Sequence, residues 1–211
     1  MNHAAAIAQL AASAEVCEAN APINEAEGNH EQAQLERSNA KSYRSAIESL
    51  SAGSEQKLTP PAIGEIWPGQ GGIYGGLRQY PEGLCHIIFA AEDVPGRHAY
   101  GDYGVEVEAE SRTDGRANTE ALVAREGKHP AAIAAAGYRA DDHNDFYLPS
   151  IGELHHGWQF LPESFATDWY YGSSSQFSAN LAYDMDFENG WLNLYVKYNE
   201  RLVRPVRRFL Q

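Results

Sequence analysis

Three carboxylates and two aromatic rings alternate with apolar side chains along AYDMDFENGWLNLYVKY, Ala182–Tyr198. Asn189-Gly190 is a strong two-residue turn signal, because both positions tolerate positive φ. A turn there pairs Glu188 with Trp191, Asp186 with Asn193 and Asp184 with Tyr195. It equally pairs Phe187 with Leu192, Met185 with Leu194 and Tyr183 with Val196. Side chains alternate across a strand. The second set is therefore predicted as core, and the first as an outward face of Asp184, Asp186, Glu188, Trp191, Asn193 and Tyr195. A half-buried antiparallel strand carries a polar outer face by default. Three acids at alternate positions nevertheless repel one another, and an exposed Trp beside a Tyr is unusual on an inert surface. Carboxylate acceptors beside flat rings suit sugar hydroxyls, or the Lys and Arg of a protein partner. This face is the candidate ligand-binding site.

Other clusters point to structure rather than chemistry. Asp141-Asp142-His143-Asn144-Asp145 offers oxygens for a hard cation, but lacks the glycine and distal Glu of an EF-hand, and reads as a turn with capping. Glu153-Leu154-His155-His156 has adjacent histidines about 100° apart on a helix, one expected buried and one exposed, not the spacing of a zinc protease. Ser173-Ser174-Ser175 lacks the strand–turn–helix setting of a nucleophile elbow. GQGGIYGG, Gly69–Gly76, has neither a Walker lysine nor a dinucleotide fingerprint; its glycines read as tight turns and close strand approach. No metal and no cofactor is expected, and no enzymatic activity. Arg201, Arg204, Arg207 and Arg208 form a basic end on an acidic chain. They read as a closing strand whose arginines pair with acids of the same domain, with Pro205 favouring a sheet edge or a bulge.

The elements around these residues fall into two regions. Residues 1–52 contain no Trp or Phe and much Ala, Glu and Gln. Ile7, Leu10, Ala14 and Cys17 make one helical stripe, and Ala21-Pro22 is expected to end it. Pro22 would open a second helix to about Leu50, with Leu35, Tyr43, Ile47 and Leu50 as its stripe and Gly28 as a weak point. Such thin stripes should pack on each other, on the C-terminal domain or on copies in a homo-oligomer. Residues 53–62, within SAGSEQKLTPPA, read as a linker.

From residue 63 to 211 the chain is rich in Gly, aromatic and β-branched residues, and half of all its aromatics fall between Trp158 and Tyr198. Two strands joined at Pro81-Glu82-Gly83 come first. One or two helices follow in NTEALVAREGKHPAAIAAAGY, capped by Asn118 or Thr119 and broken at Gly127. DDHNDFYLPSIGELHHGWQFL comes next, a short strand and then a helix capped by Ser150, with Glu153 at the capping-box position and Trp158, Phe160 and Leu161 assigned to the core. Helices grouped between strands make the fold class α+β.

Several motifs bear on family. WPGQGGIYGGL, TDGRANTEALV, DFYLPSIGEL, DWYYGSSS and the ending RLVRPVRRF occur in an order that resembles the C-terminal domain of Legionella collagen-like proteins, over roughly Pro60–Gln211. That family is abundant in phages and prophages, often beside tail-fibre genes. The resemblance implies a C-type-lectin-like fold, whose corresponding hairpin region often forms the ligand face. Tyr170-Tyr171-Gly172-Ser173-Ser174-Ser175 departs from the family's Tyr-Trp-Ser-Ser-Thr, and the calcium-binding sugar motifs of true C-type lectins are absent. Formylglycine-generating oxidases share the fold, but their cysteine pair is missing.

The expectation is thus a phage-type, non-enzymatic binding module for a glycan or host protein; a soluble factor blocking a host protein is the alternative. A net charge of −13 disfavours nucleic-acid backbones and anionic membranes. Cys17 and Cys85, lying far apart, suggest a reducing compartment. With no secretion signal read at the N-terminus, the host cytoplasm or a virion is the expected location.

Overall fold

The computed structural model describes residues 3–54 and 59–211, with side chains inside the first two helices described for 6–48. The chain forms two compact units, residues 1–59 and 60–211. The boundary falls inside the segment read as a linker, although helix continues through Ser51–Ser54.

The first unit pairs α1 (His3–Ala26) with α2 (His30–Ser54). The helix runs through Pro22, where Ala21-Pro22 is expected to end it. Pro22 forfeits one ladder bond, but Ala21 on the same turn is buried in the unit and Asn24 donates its side-chain amide to the Asn20 carbonyl at 3.1 Å. The reversal comes at Gly28, φ 82°, where Asn29 N–H donates to Asn24 O at 2.8 Å. Positive φ at a helix end is where glycine is favoured. Arg44 clamps Glu18 through two bonds of 3.0 and 2.9 Å, and Arg37 meets Glu25 at 2.6 Å. Among the described residues of this unit the buried ones are small: Ala14, Cys17, Ala21, Ala33 and Ala40. Leu35, assigned to the stripe of α2, is exposed, while Tyr43 and Ile47 are half-buried; Leu50 lies outside the described side chains.

The second unit is α+β. Its elements are β1 (Ile66–Trp67), β2 (Gly72–Tyr80), β3 (Gly83–Ala90), β4 (His98–Ala99), α3 (Gly115–Val123), α4 (Pro130–Gly137), α5 (Ile151–Phe160), β5 (Tyr170–Gln176), β6 (Leu181–Asp186), β7 (Leu192–Val196), β8 (Glu200–Arg201) and β9 (Val206–Leu210). They make an antiparallel sheet β1-β2-β3-β9, a ribbon β4-β8 and a sheet β5-β6-β7. Tyr80 pairs with Gly83, so Pro81-Glu82 is the expected turn. A Cβ on Gly72 would overlap the Phe89 carbonyl oxygen, the close strand approach read from the glycines.

Three local expectations change. The segment just before α5, expected to be a short strand, makes only an isolated bridge of Tyr147 to Val206. The cap of α3 is Asp114, whose carboxylate accepts from Ala117 N–H at 3.1 Å, not Asn118 or Thr119. Those two are buried inside the helix, and Asn118 accepts from Ser111 N–H at 3.0 Å. His155 and His156 are both half-buried: His155 stacks on Trp158, and His156 Nε2 meets the Gly75 carbonyl at 2.7 Å. Gly127 stands between α3 and α4 with φ 71°, as a helix break requires.

The α5 capping box forms as expected, and its Glu153 does more. Fully buried, the carboxylate accepts from Tyr80 OH (2.7 Å) and Tyr147 OH (2.8 Å) through one oxygen. The other accepts from Gly115 N (3.0 Å), Ser150 N (2.8 Å) and Ser150 Oγ (2.8 Å). A buried charge needs such a donor set. It ties β2, α3, α5 and the segment before α5 together. The arginine reading also holds. Arg208 reaches Glu82 and Asp114, each at 2.7 Å. Arg207 reaches Asp145 at 2.7 Å and Arg201 reaches Asp184 at 2.6 Å, and Arg204 pairs with Asp93. Strand β9 lies at a sheet edge just after Pro205.

Candidate functional site

The β6–β7 hairpin turns where its sequence says, but with another register. Asp184 pairs with Asn193, Met185 with Leu192 and Tyr183 with Leu194, a shift of two residues from the pairing read off Asn189-Gly190. The loop is Phe187–Gly190, closed by Asp186 N–H to Trp191 O at 3.0 Å and Gly190 N–H to Asp186 O at 2.9 Å. Two side chains stabilise this longer turn. Asp186 accepts from Glu188 N–H at 2.9 Å, and Asn189 accepts from Trp191 N–H at 3.1 Å, the local bonding that suits Asx residues to turns. Phe187 cannot stay in the ladder, because its ring stacks on Phe165 at 4.0 Å in the core. Gly190, φ 77°, lies under the Trp158 indole, where a Cβ would come within 2.5 Å.

A shift of two keeps the same side chains together, yet the facing changes. Asp184 and Tyr195, read as outward, are buried. Leu192 and Leu194, read as core, are 50% and 43% exposed. The hairpin is wedged between two cores: Met185 and Phe187 belong to one with Phe89 and Leu154, Ala182 and Tyr195 to another with Tyr100 and Leu148. Each face of central strand β6 therefore meets apolar packing, and the fully exposed side chains lie in edge strand β7 and around the loop. Of the six candidate residues, Glu188 and Trp191 (66% exposed) stand fully outside, and Asp186 and Asn193 partly so. Leu192 and Leu194 join them. Tyr183, cross-strand from Leu194, packs edge-on against exposed Phe177 at 5.6 Å, with Arg112 5.0 Å above its ring. The rim is thus an apolar and aromatic edge with carboxylates beside it.

Beneath it, Asp184 pairs with Arg201, whose guanidinium also lies 4.5 Å from the Tyr195 ring. Burial pushes the Asp184 carboxyl above the usual range, and Arg201 offsets part of that rise. Burial raises the Tyr195 phenol as well. Asp184 is a structural acid here.

Other residues took structural places too. Asp141 accepts from Gly69 N–H and Gly71 N–H, both at 3.0 Å, with Asp141 and Asp142 at φ 46° and 64°. This is the turn-and-capping role read from the sequence. Ser173, Ser174 and Ser175 are buried. Phe160 is half exposed, contrary to its assignment to the core, because it lies on the last turn of α5 against His156.

Two features escaped the sequence reading. Lys197 is wholly buried, its ammonium donating to Val105 O at 2.7 Å and Gln176 Oε1 at 2.6 Å. Burial brings its pKa down to about 8. No local pattern marks that lysine. A groove of about 820 Å³ beside α3 is lined by Glu106, Glu108 and Glu110; the alternation in VEVEAE is its sequence trace. Among the described residues no group of His, Cys, Asp and Glu is arranged to hold a metal, and no helix is long and apolar enough to cross a membrane. Cys17 and Cys85 are both free thiols. No protein-family model and no curated protein matches the sequence.

Proposed function

We propose that the chain is a non-enzymatic binding module of phage or prophage type with a C-type-lectin-like second unit, which recognises a protein surface through the rim of the β6–β7 hairpin. The observation that carries this is the solvent exposure of Leu192 and Leu194 on edge strand β7 and of Trp191 just before it, with Glu188 and Asp186 adjacent. Exposed aromatic and aliphatic anchors on an unpaired strand edge are costly in water and are features of docking surfaces. The acids beside them suit a partner carrying Lys or Arg. A glycan fits this rim less well than a protein does. With Asp184 and Tyr195 inside, fewer acceptors remain for sugar hydroxyls, and the two leucines offer apolar area that hydroxyls do not use. The resemblance of residues 60–211 to a phage-associated family supports the module class.

Affinity capture from host lysate with the full chain tests the reading. The wild type and a control variant, Glu120→Ala, should retain one stoichiometric protein that Trp191→Ala/Leu194→Ser loses at least tenfold. Equal capture by that variant would remove the hairpin from the interface. A glycan-array signal sensitive to Trp191, with no protein captured, would replace the protein reading with the sugar one.

A further inference from the structure

Helix α1 carries two apolar stripes. Ile7, Leu10, Ala14, Cys17 and Ala21 face α2, and Ala14, Cys17 and Ala21 are buried there. Ala12, Val16, Ala19, Ile23 and Ala26 recur at the same three-four spacing, with the polar Gln9 extending the row one turn earlier, and all are exposed, Val16 by 58% and Ile23 by 56%. At 100° per residue the two stripes lie roughly 170° apart, on opposite sides of the helix. A helix apolar on two opposite faces belongs inside a bundle, not at its surface. Among its described side chains α2 has no matching outer stripe: away from buried Ala33 and Ala40 it exposes Gln32, Gln34, Ser38, Lys41 and Ser42, with Leu35 its one large exposed apolar residue. With only five small residues buried among those described, the hairpin also lacks the core that two helices need to be stable in water.

We infer that the exposed stripe of α1 docks on the same stripe of a second copy of this chain, antiparallel, to form a four-helix bundle with the two α1 helices inside. The stripe itself selects that partner and direction. Larger residues, Gln9, Val16 and Ile23, occupy one heptad position, and alanines 12, 19 and 26 occupy the other. In an antiparallel pair centred between Cys17 and Glu18, Gln9 meets Ala26, Ala12 meets Ile23 and Val16 meets Ala19 of the other copy. Every layer then holds one alanine and one longer side chain, over about 25 Å of helix, and the two-fold contact is self-complementary. A parallel pair would stack alanine on alanine and Ile on Ile, leaving gaps in alternate layers. Glu15, the charge flanking the stripe, meets Pro22 in the antiparallel pair, so no like charges oppose each other. This inference is independent of the hairpin reading above.

Light scattering on the full chain should give twice the 23.2 kDa chain mass. Val16→Glu/Ile23→Glu should give a monomer with unchanged circular dichroism, since both positions face solvent within one chain. A wild type that stays monomeric near 100 μM, as it would if another part of its own chain covered the stripe, would overturn the proposal. A dimeric double variant would do the same. Direction is read by cysteine cross-linking in a Cys17→Ala background. Ala12→Cys/Ile23→Cys should cross-link between copies and Ala12→Cys alone should not; a cross-link by the single variant would refute the antiparallel register.

Discussion

Replacing Glu153 by Gln changes one atom at the most connected polar position of the second unit. The carboxylate accepts five hydrogen bonds, two from tyrosine hydroxyls and three from the Ser150 and Gly115 groups. A glutamine can direct its amide NH₂ to Tyr80 and Tyr147, whose hydroxyls can turn to accept. It keeps its oxygen for the Ser150 and Gly115 donors. The reverse orientation would aim NH₂ at two backbone N–H groups and is excluded. The two tyrosine hydroxyl protons then lose the acceptor they have in the wild type, and the charge-assisted character of the set is lost. Bonds to charged groups contribute about 1.5–3 kcal/mol against 0.5–1.5 for neutral ones, and the five share one acceptor group, so Glu153→Gln should destabilise the unit by about 2–4 kcal/mol. Glu153→Ala, which leaves all five donors without the acceptor, should cost more. Urea unfolding followed by circular dichroism measures this as a lower midpoint at unchanged m, and by heat as a drop of about 5–15 °C for a unit this size. A Glu153→Gln midpoint equivalent to less than about 1 kcal/mol would mean that the buried donors find other acceptors, and that the carboxylate does not organise the fold.

Gly190→Ala should cost more than about 2 kcal/mol, because it combines a φ of 77° with overlap on Trp158; a stability within 0.5 kcal/mol of wild type would show that the turn is free of that ring. Stability should also fall in mild acid. Burial lowers the pKa values of His86, His129 and His156, so the unfolded chain binds more protons than the folded one below about pH 6.5. Their contribution is complete above that pH and is lost as the pH falls towards the depressed folded values. Urea midpoints that rise between pH 7 and 5.5 would contradict it. At the hairpin rim, Trp191→Ala should leave the unfolding midpoint within about 0.5 kcal/mol of wild type, since the ring is mostly in water, while removing partner binding. A large stability loss would show instead that the indole is a packing residue.

Signals that act over three or four residues were legible in the chain. The Ser150–Glu153 box, the Pro81-Glu82 turn, the Gly127 break and the reversal near Asn189-Gly190 each depend on neighbours along the backbone, and each formed. The pairing of the C-terminal arginines with acids was legible too, because buried guanidinium groups require partners wherever the chain supplies them. What needed tertiary structure was direction. Alternation along 183–196 separates two sets of side chains, but it cannot say which set meets protein. Here distant segments pack against both sides of β6, so Asp184 and Tyr195 go inside with Met185, and Leu192 and Leu194 are left on an open edge. Phe187 drew itself out of the ladder by stacking on Phe165, and that long-range contact moved the register by two. Pro22 likewise remains within a helix because the turn around it packs on α2, a reason that local preference alone does not contain.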